Sequence, residues 1–161
     1  MSSTHARLGA DTAQDVEDWF FRDYLSTWIA AGADADGAGP DFISTYWGHP
    51  LHVCTDGFKG YKAGPDDVVA FLDQMHRRLR SEGYSTTRVL DRRIRIYNER
   101  GASIEVIWSR QRADASEIER IAVHFEVSKL QDVWRVASIQ STHTQGATLD
   151  EAWFEITLPP L

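Results

Sequence analysis

From Ala102 to Gln140 apolar and polar positions alternate along the chain. In Ala102–Arg112, Ile104, Val106, Trp108, Arg110 and Arg112 fall on one side, and Ser103, Glu105, Ile107, Ser109 and Gln111 on the other. In Glu117–Lys129, Ile121, Val123, Phe125 and Val127 oppose Arg120, Ala122, His124 and Glu126. Val133–Gln140 sets Trp134, Val136, Ser138 and Gln140 against Arg135, Ala137 and Ile139. A period of two held over runs this long predicts three successive strands. A sheet of that size gives helices a face to lie on.

Upstream the period becomes helical. Asp15–Ala31 carries two apolar stripes, Val16/Trp19/Phe20/Tyr24/Trp28 and Phe21/Leu25/Ile29, so this helix is buried on most sides. Gly32–Pro40 reads as a loop and Asp41–Trp47 as a short helix. Leu51–Asp56 predicts a short strand, and Gly57–Tyr61 a return arm. Pro65 opens a second long helix, with Asp66 and Asp67 at its positive end and Val68, Phe71, Leu72, Met75 and Leu79 in helical phase. Ser85–Asn98 is a further strand. Residues 1–12 are expected to be flexible, residues 13–144 to form the domain, and residues 145–161 to be a tail. Trp153, Phe154, Ile156 and Leu158 make that tail too apolar for a free end, so it should dock on its own or a neighbouring subunit.

Composition narrows the function. The 161 residues suit one domain, and a hydrophobic fraction of 42% with six Trp can fill its core. A net charge of −7 argues against nucleic-acid binding, which needs a basic face. The lone Cys54 allows no internal disulfide. No apolar run approaches the roughly 18 residues of a membrane span, and Met1–Gln14 has no signal-peptide core. The expectation is a cytoplasmic protein with no membrane partner.

The element order, helix, short helix, hairpin, helix and four strands, resembles the nuclear transport factor 2-like superfamily, SnoaL-like branch. The residues that carry the resemblance are Trp19–Tyr24 in the first helix, the strand Leu51–Asp56 before Gly57–Gly64, and Pro65–Val68 followed by Phe71–Leu72. Ala102–Arg110 resembles the family's "A-x-v-x-x-x-W-x-R" strand and Val133–Val136 its closing "W-r-I" strand. The resemblance implies an α+β cone, a curved and mainly antiparallel sheet with helices on its concave face, enclosing a pocket. Members include ketosteroid isomerase, polyketide cyclases, scytalone dehydratase and limonene-epoxide hydrolase, while others only bind ligands or partners. Fold alone does not choose among these.

The candidate chemistry follows from which face looks into the cone. If Trp108 points inward, so do Arg110 and Arg112. For Glu117–Lys129 two phases compete. Periodicity turns Ile121, Val123, Phe125 and Val127 to the helices. The resemblance implies polar pocket residues near His124 and dimerisation through the outer sheet face, which turns His124 inward, and we adopt this second phase. His124 is then the general acid/base. Arg110 would hold negative charge, and the resemblance implies a pocket phenol at Tyr24 that also stabilises it and a second base at Asp56. Trp108, Trp28, Arg112, Phe58 and Met75 would contact the substrate. His49 and His52 point to opposite faces of a strand, and no phosphate loop, dinucleotide fingerprint or metal spacing is present, so neither cofactor nor metal is implied.

The expected function is a cofactor-independent acid–base enzyme: an isomerase, cyclase, dehydratase or lyase. Its substrate would be a small hydrophobic, aromatic or polyketide-like molecule, and its assembly a homodimer or higher homo-oligomer. The alternative is a non-catalytic module that binds a small molecule or a partner. A third reading, a small oxygenase subunit, would need a partner chain with metal motifs.

Overall fold

The computed structural model describes residues 2–160, with side chains for residues 9–35 and 37–160. Helix α1 (Ser2–Glu17), a π-helical turn (Asp18–Tyr24) and α2 (Leu25–Gly32) follow one another, and the short α3 (Ile43–Tyr46) comes next. The strands and remaining helices are β1 (Trp47–Cys54), β2 (Lys59–Lys62), α4 (Pro65–Ser81), β3 (Tyr84–Asn98), β4 (Gly101–Arg112), β5 (Glu117–Leu130), β6 (Val133–His143) and α5 (Leu149–Ala152). The six strands form one curved sheet in the order β2-β1-β6-β5-β4-β3. All neighbours pair antiparallel except β1 with β6. This is the expected α+β cone. The described helices include none long and apolar enough to cross a membrane.

The helix begins at Ser2, well before the expected Asp15, so residues 2–12, expected to be flexible, are helical. This stretch holds no Pro to interrupt a helix that continues into the apolar stripes from Val16 onward. Asp15 fixes the helix to the sheet by accepting from Trp134 Nε1 at 2.8 Å and Lys129 Nζ at 2.9 Å. The bond from Trp134 is the main reason its carboxyl lies below the usual range. Within the π-helical turn, Phe20 and Tyr24 are both buried, and Trp28 follows in α2. Helix α4 buries Val68, Leu72, His76 and Leu79 along one stripe, and Gly64 N–H donates to Asp67 Oδ2 at its start.

Strands β4 and β5 turn Ile104, Val106, Trp108, Val123, Phe125 and Val127 into one core with the helices. Periodicity alone therefore gives the correct phase for β5, and the phase adopted from the resemblance is wrong. The opposite face carries a smaller cluster, in which Leu149 of α5 covers Ile107 and Ala122 and Trp153 packs beside it. Leu149 N–H donates to Asp91 Oδ2 at 2.8 Å, and Arg93 Nη2 to Asp150 Oδ1 at 3.0 Å. The start of the tail lies on its own sheet. Phe154, Ile156 and Leu158 beyond it are exposed.

His76 is buried at 1% exposure, its Nε2 without a hydrogen-bond partner among the described residues and its ring edge-on to Trp28 at 4.5 Å. Burial, followed by the charges of Arg110 and Arg80, lowers its pKa from 6.5 to about 4. Between those values the unfolded chain binds a proton that the folded chain refuses, so stability falls as pH drops through this window. The full effect is roughly 3 kcal/mol. Urea denaturation between pH 7 and pH 4.5 should show this loss in the wild type and a flatter profile in His76→Phe. Equal slopes would mean that His76 accepts the proton in place.

Candidate functional site

A cavity of about 60 Å³ lies between the helices and the inner face of the sheet. Tyr24, Trp28, Trp47, Trp108 and Phe125 give it an aromatic wall. Its volume is enough for a few waters. It adjoins an outer basin of about 780 Å³, and the two share Thr55, Phe71, Met75, Arg110, Ile121 and Ser141. These shared residues form a throat, and the basin is the mouth.

Arg110 stands at the throat because β4 alternates Trp108 and Arg110 onto the inner face. It is only 6% exposed. Its Nη1 donates to Glu119 Oε1 at 2.6 Å, and its guanidinium lies over the Trp28 ring at 4.7 Å. Its Nε is buried with no hydrogen-bond partner among the described residues. Burial pulls the pKa of Arg110 down and the Glu119 charge opposes this, while a guanidinium stays protonated at any working pH. Tyr24 accepts from Trp47 Nε1 at 3.3 Å, which leaves its own hydrogen free to donate. Burial raises its pKa well above 10, so it is a phenol throughout.

Glu119 sits in the inward row of β5, two residues before Ile121. Besides Arg110 it accepts from Arg78 Nη2 through both oxygens, at 2.9 and 2.8 Å. Burial pushes its pKa up, but Arg110 and Arg78 outweigh this and hold it below the usual range. His143 Nε2 is 3.5 Å from Glu119 Oε2. On the other side of that ring, Asp56 Oδ2 accepts from the His143 backbone N–H and from Nδ1, both at 2.8 Å. Asp56 accepts also from Thr142 Oγ1, at 3.2 Å. A carboxylate facing Nδ1 places a hydrogen there and leaves Nε2 as the ring atom turned toward Glu119. Asp56, Thr142, His143 and Glu119 thus form one polar chain from the rim of the mouth to the throat.

Of the residues expected to form the site, Arg110, Tyr24, Trp108 and Trp28 line the cavity, Phe58 lines the mouth, and Met75 lines both. Three others stand elsewhere or differently. His124 is on the outer face, its Nε2 at 2.9 Å from Glu126 Oε1 and Nδ1 at 3.4 Å from Glu105 Oε1. Arg112 caps the end of α4, donating from Nε to the Glu82 carbonyl at 2.7 Å. Asp56 is engaged by His143, first through the backbone N–H, and these bonds hold its carboxyl below the usual range, which makes it a poor base. The residues missed are His143, Glu119, Arg78 and Lys62. Glu119 could have been found, since it continues the row of Ile121, Val123 and Phe125 and pairs across the ladder with Arg110. His143 could not be found by strict alternation. The register shifts between Glu126 and Val127 opposite β6, so that Trp134 and Val136 face inward and then Ile139, Ser141 and His143 do.

Solved structures share this architecture at low sequence identity. An NTF2-like protein with a cystatin-like fold from Novosphingobium aromaticivorans is 17% identical, covers 91% of each chain and superposes with a TM-score of 0.62. A domain of unknown function with a cystatin-like fold from Nostoc punctiforme is 15% identical over 78% of this chain and 76% of that one, with a TM-score of 0.58. A putative calcium/calmodulin-dependent protein kinase II association domain from Xanthomonas campestris is 11% identical over 76% and 84%, with a TM-score of 0.55. Likeness at these identities concerns the fold alone. No curated protein matches the sequence. Residues 13–144 match the model of the family described as NTF2-like protein (DUF6841), and the chain belongs to that family.

Proposed function

We propose that the protein is a cofactor-independent acid–base catalyst acting on a small hydrophobic molecule bound in the cone, as an isomerase, cyclase, dehydratase or lyase. One observation carries the reading: a buried guanidinium with an unpartnered N–H borders an aromatic cavity, and its own carboxylate partner faces an imidazole fixed by Asp56. His143 Nε2 takes a proton from carbon next to a carbonyl. The electron pair moves onto the carbonyl oxygen, and Tyr24 or Arg110 stabilises the resulting oxyanion. Return of the proton at another carbon gives isomerisation, and loss of a leaving group gives elimination. His143 takes the part that the resemblance implied for His124. The second reading, a binding module without turnover, draws on the pairing of Arg110 with Glu119, which gives this arginine a structural role of its own.

A deuterium-exchange assay tests catalysis without knowledge of the natural substrate. In D₂O, with a panel of small aryl ketones, the wild type should exchange hydrogens next to the carbonyl, followed by proton NMR. His143→Ala should slow this about a hundredfold or more while keeping the circular dichroism spectrum. Undiminished exchange in that variant, or its loss in His124→Ala instead, would overturn the assignment. Absence of exchange together with ligand binding would leave the module.

The ion pair can be tested separately by urea denaturation. Glu119→Gln should cost about 3 kcal/mol, because it strands a buried guanidinium, whereas Arg110→Met combined with Glu119→Leu should recover most of that loss. Wild-type stability in Glu119→Gln would show that Arg110 is held by other contacts.

A further inference from the structure

We propose that the cone takes a small carboxylate, an anionic head on an apolar aryl or branched-alkyl body, with the head on the Nε edge of Arg110. The inference rests on the reading of the cone as a ligand site and adds the charge of the ligand. A guanidinium offers separate edges to carboxylates. Glu119 occupies Arg110 at Nη1, while Nε is buried and has no hydrogen-bond partner among the described residues. A buried donor of a charged group left without an acceptor is costly, and a ligand oxygen at this position removes the cost. Arg110 borders both cavity and mouth, so a head placed there leaves the body in the mouth, against Phe58 and Phe71.

The charge balance points the same way. Cavity and mouth are lined by three permanent cations, Lys62, Arg78 and Arg110, against the single carboxylate Glu119. The chain as a whole carries −7. Arg78 has a second partner outside the lining, Glu82, at 2.9 Å. Lys62 has no carboxylate within ion-pair distance among the described residues, and its ammonium lies over the rings of Phe58 and Phe71 at 3.9 and 4.9 Å. Attraction of an anion to the mouth falls to Lys62, and its final position to Arg110. Tyr24, with its free hydrogen, is then the donor left for charge that develops on the ligand during a reaction.

The experiment is a titration followed by tryptophan fluorescence, since Trp28, Trp47 and Trp108 line the cavity. The probes are phenylacetate, 4-methylpentanoate and the neutral phenylacetamide. Wild-type protein should bind phenylacetate at least about tenfold tighter than the amide. Lys62→Ala, checked for folding by circular dichroism, should weaken the carboxylate about threefold and the amide by less than that. Arg110→Met with Glu119→Gln, checked for folding by circular dichroism, should erase the preference. Equal affinity for acid and amide, binding of neither, or a preference that survives the double substitution would overturn the proposal. Carboxylate binding without deuterium exchange would sink acid–base catalysis and leave this inference standing. Exchange on neutral ketones with no carboxylate preference would do the reverse.

Discussion

A guanidinium buried under a tryptophan, with one carboxylate to hold it, is the constraint on which the arrangement of the cone depends. Arg110 comes from β4, Glu119 from β5, Trp28 from α2 and Arg78 from α4, so the ion pair and its flanking contacts join both long helical segments to the middle of the sheet. A charge withdrawn from water is tolerated only where its partners are fixed. That requirement sets the position of α2 and α4 over the strands. It also explains why Glu119 stays ionised in a largely apolar setting: two arginines outweigh the effect of burial. The same packing that closes the cone therefore leaves a polar, charged throat in an aromatic cavity.

Much of this was legible in the residues. Alternation in Ala102–Arg112 puts Trp108 and Arg110 on one face, and the structure keeps them there. Pro65, Asp66 and Asp67 mark the start of α4, and Gly83 follows its end with φ +84°. The apolar row of Glu117–Lys129 was equally readable. It conflicts with the expectation about His124 drawn from the resemblance, and burial of Val123, Phe125 and Val127 decides for the apolar row. An imidazole between two glutamates is satisfied on a polar face, whereas turning it inward would have put three apolar side chains into water.

What alternation could not supply was the break in it. The irregularity in β6 near Ala137 moves one residue out of phase, so that Gln140 lies outside and His143 inside. A side chain assigned by counting from Trp134 lands on the wrong face after that point. Arg112 illustrates the opposite limit. Its phase was read correctly, yet at the end of its strand the nearest unsatisfied groups are carbonyls at the end of α4, and the guanidinium caps them rather than the pocket. Position along a strand decides, as much as facing, whether an inward polar residue meets a ligand or a helix end.

The polar chain at the mouth has a further electrostatic consequence. Glu119 is shared by Arg110, Arg78 and the Nε2 side of His143. Any anion that settles against Arg110 adds a second negative charge close to Glu119, and like charges at such range repel. Unless cations answer it, the newcomer competes with the carboxylate that keeps the arginine in place. Arg78 already grips Glu119 through two oxygens, and Lys62 stands at the mouth on aromatic rings with no acid of its own among the described residues. The cations that exceed the requirements of the ion pair are thus located where a second negative charge would need them. A throat built only to stabilise the fold would need Arg110 and Glu119 alone.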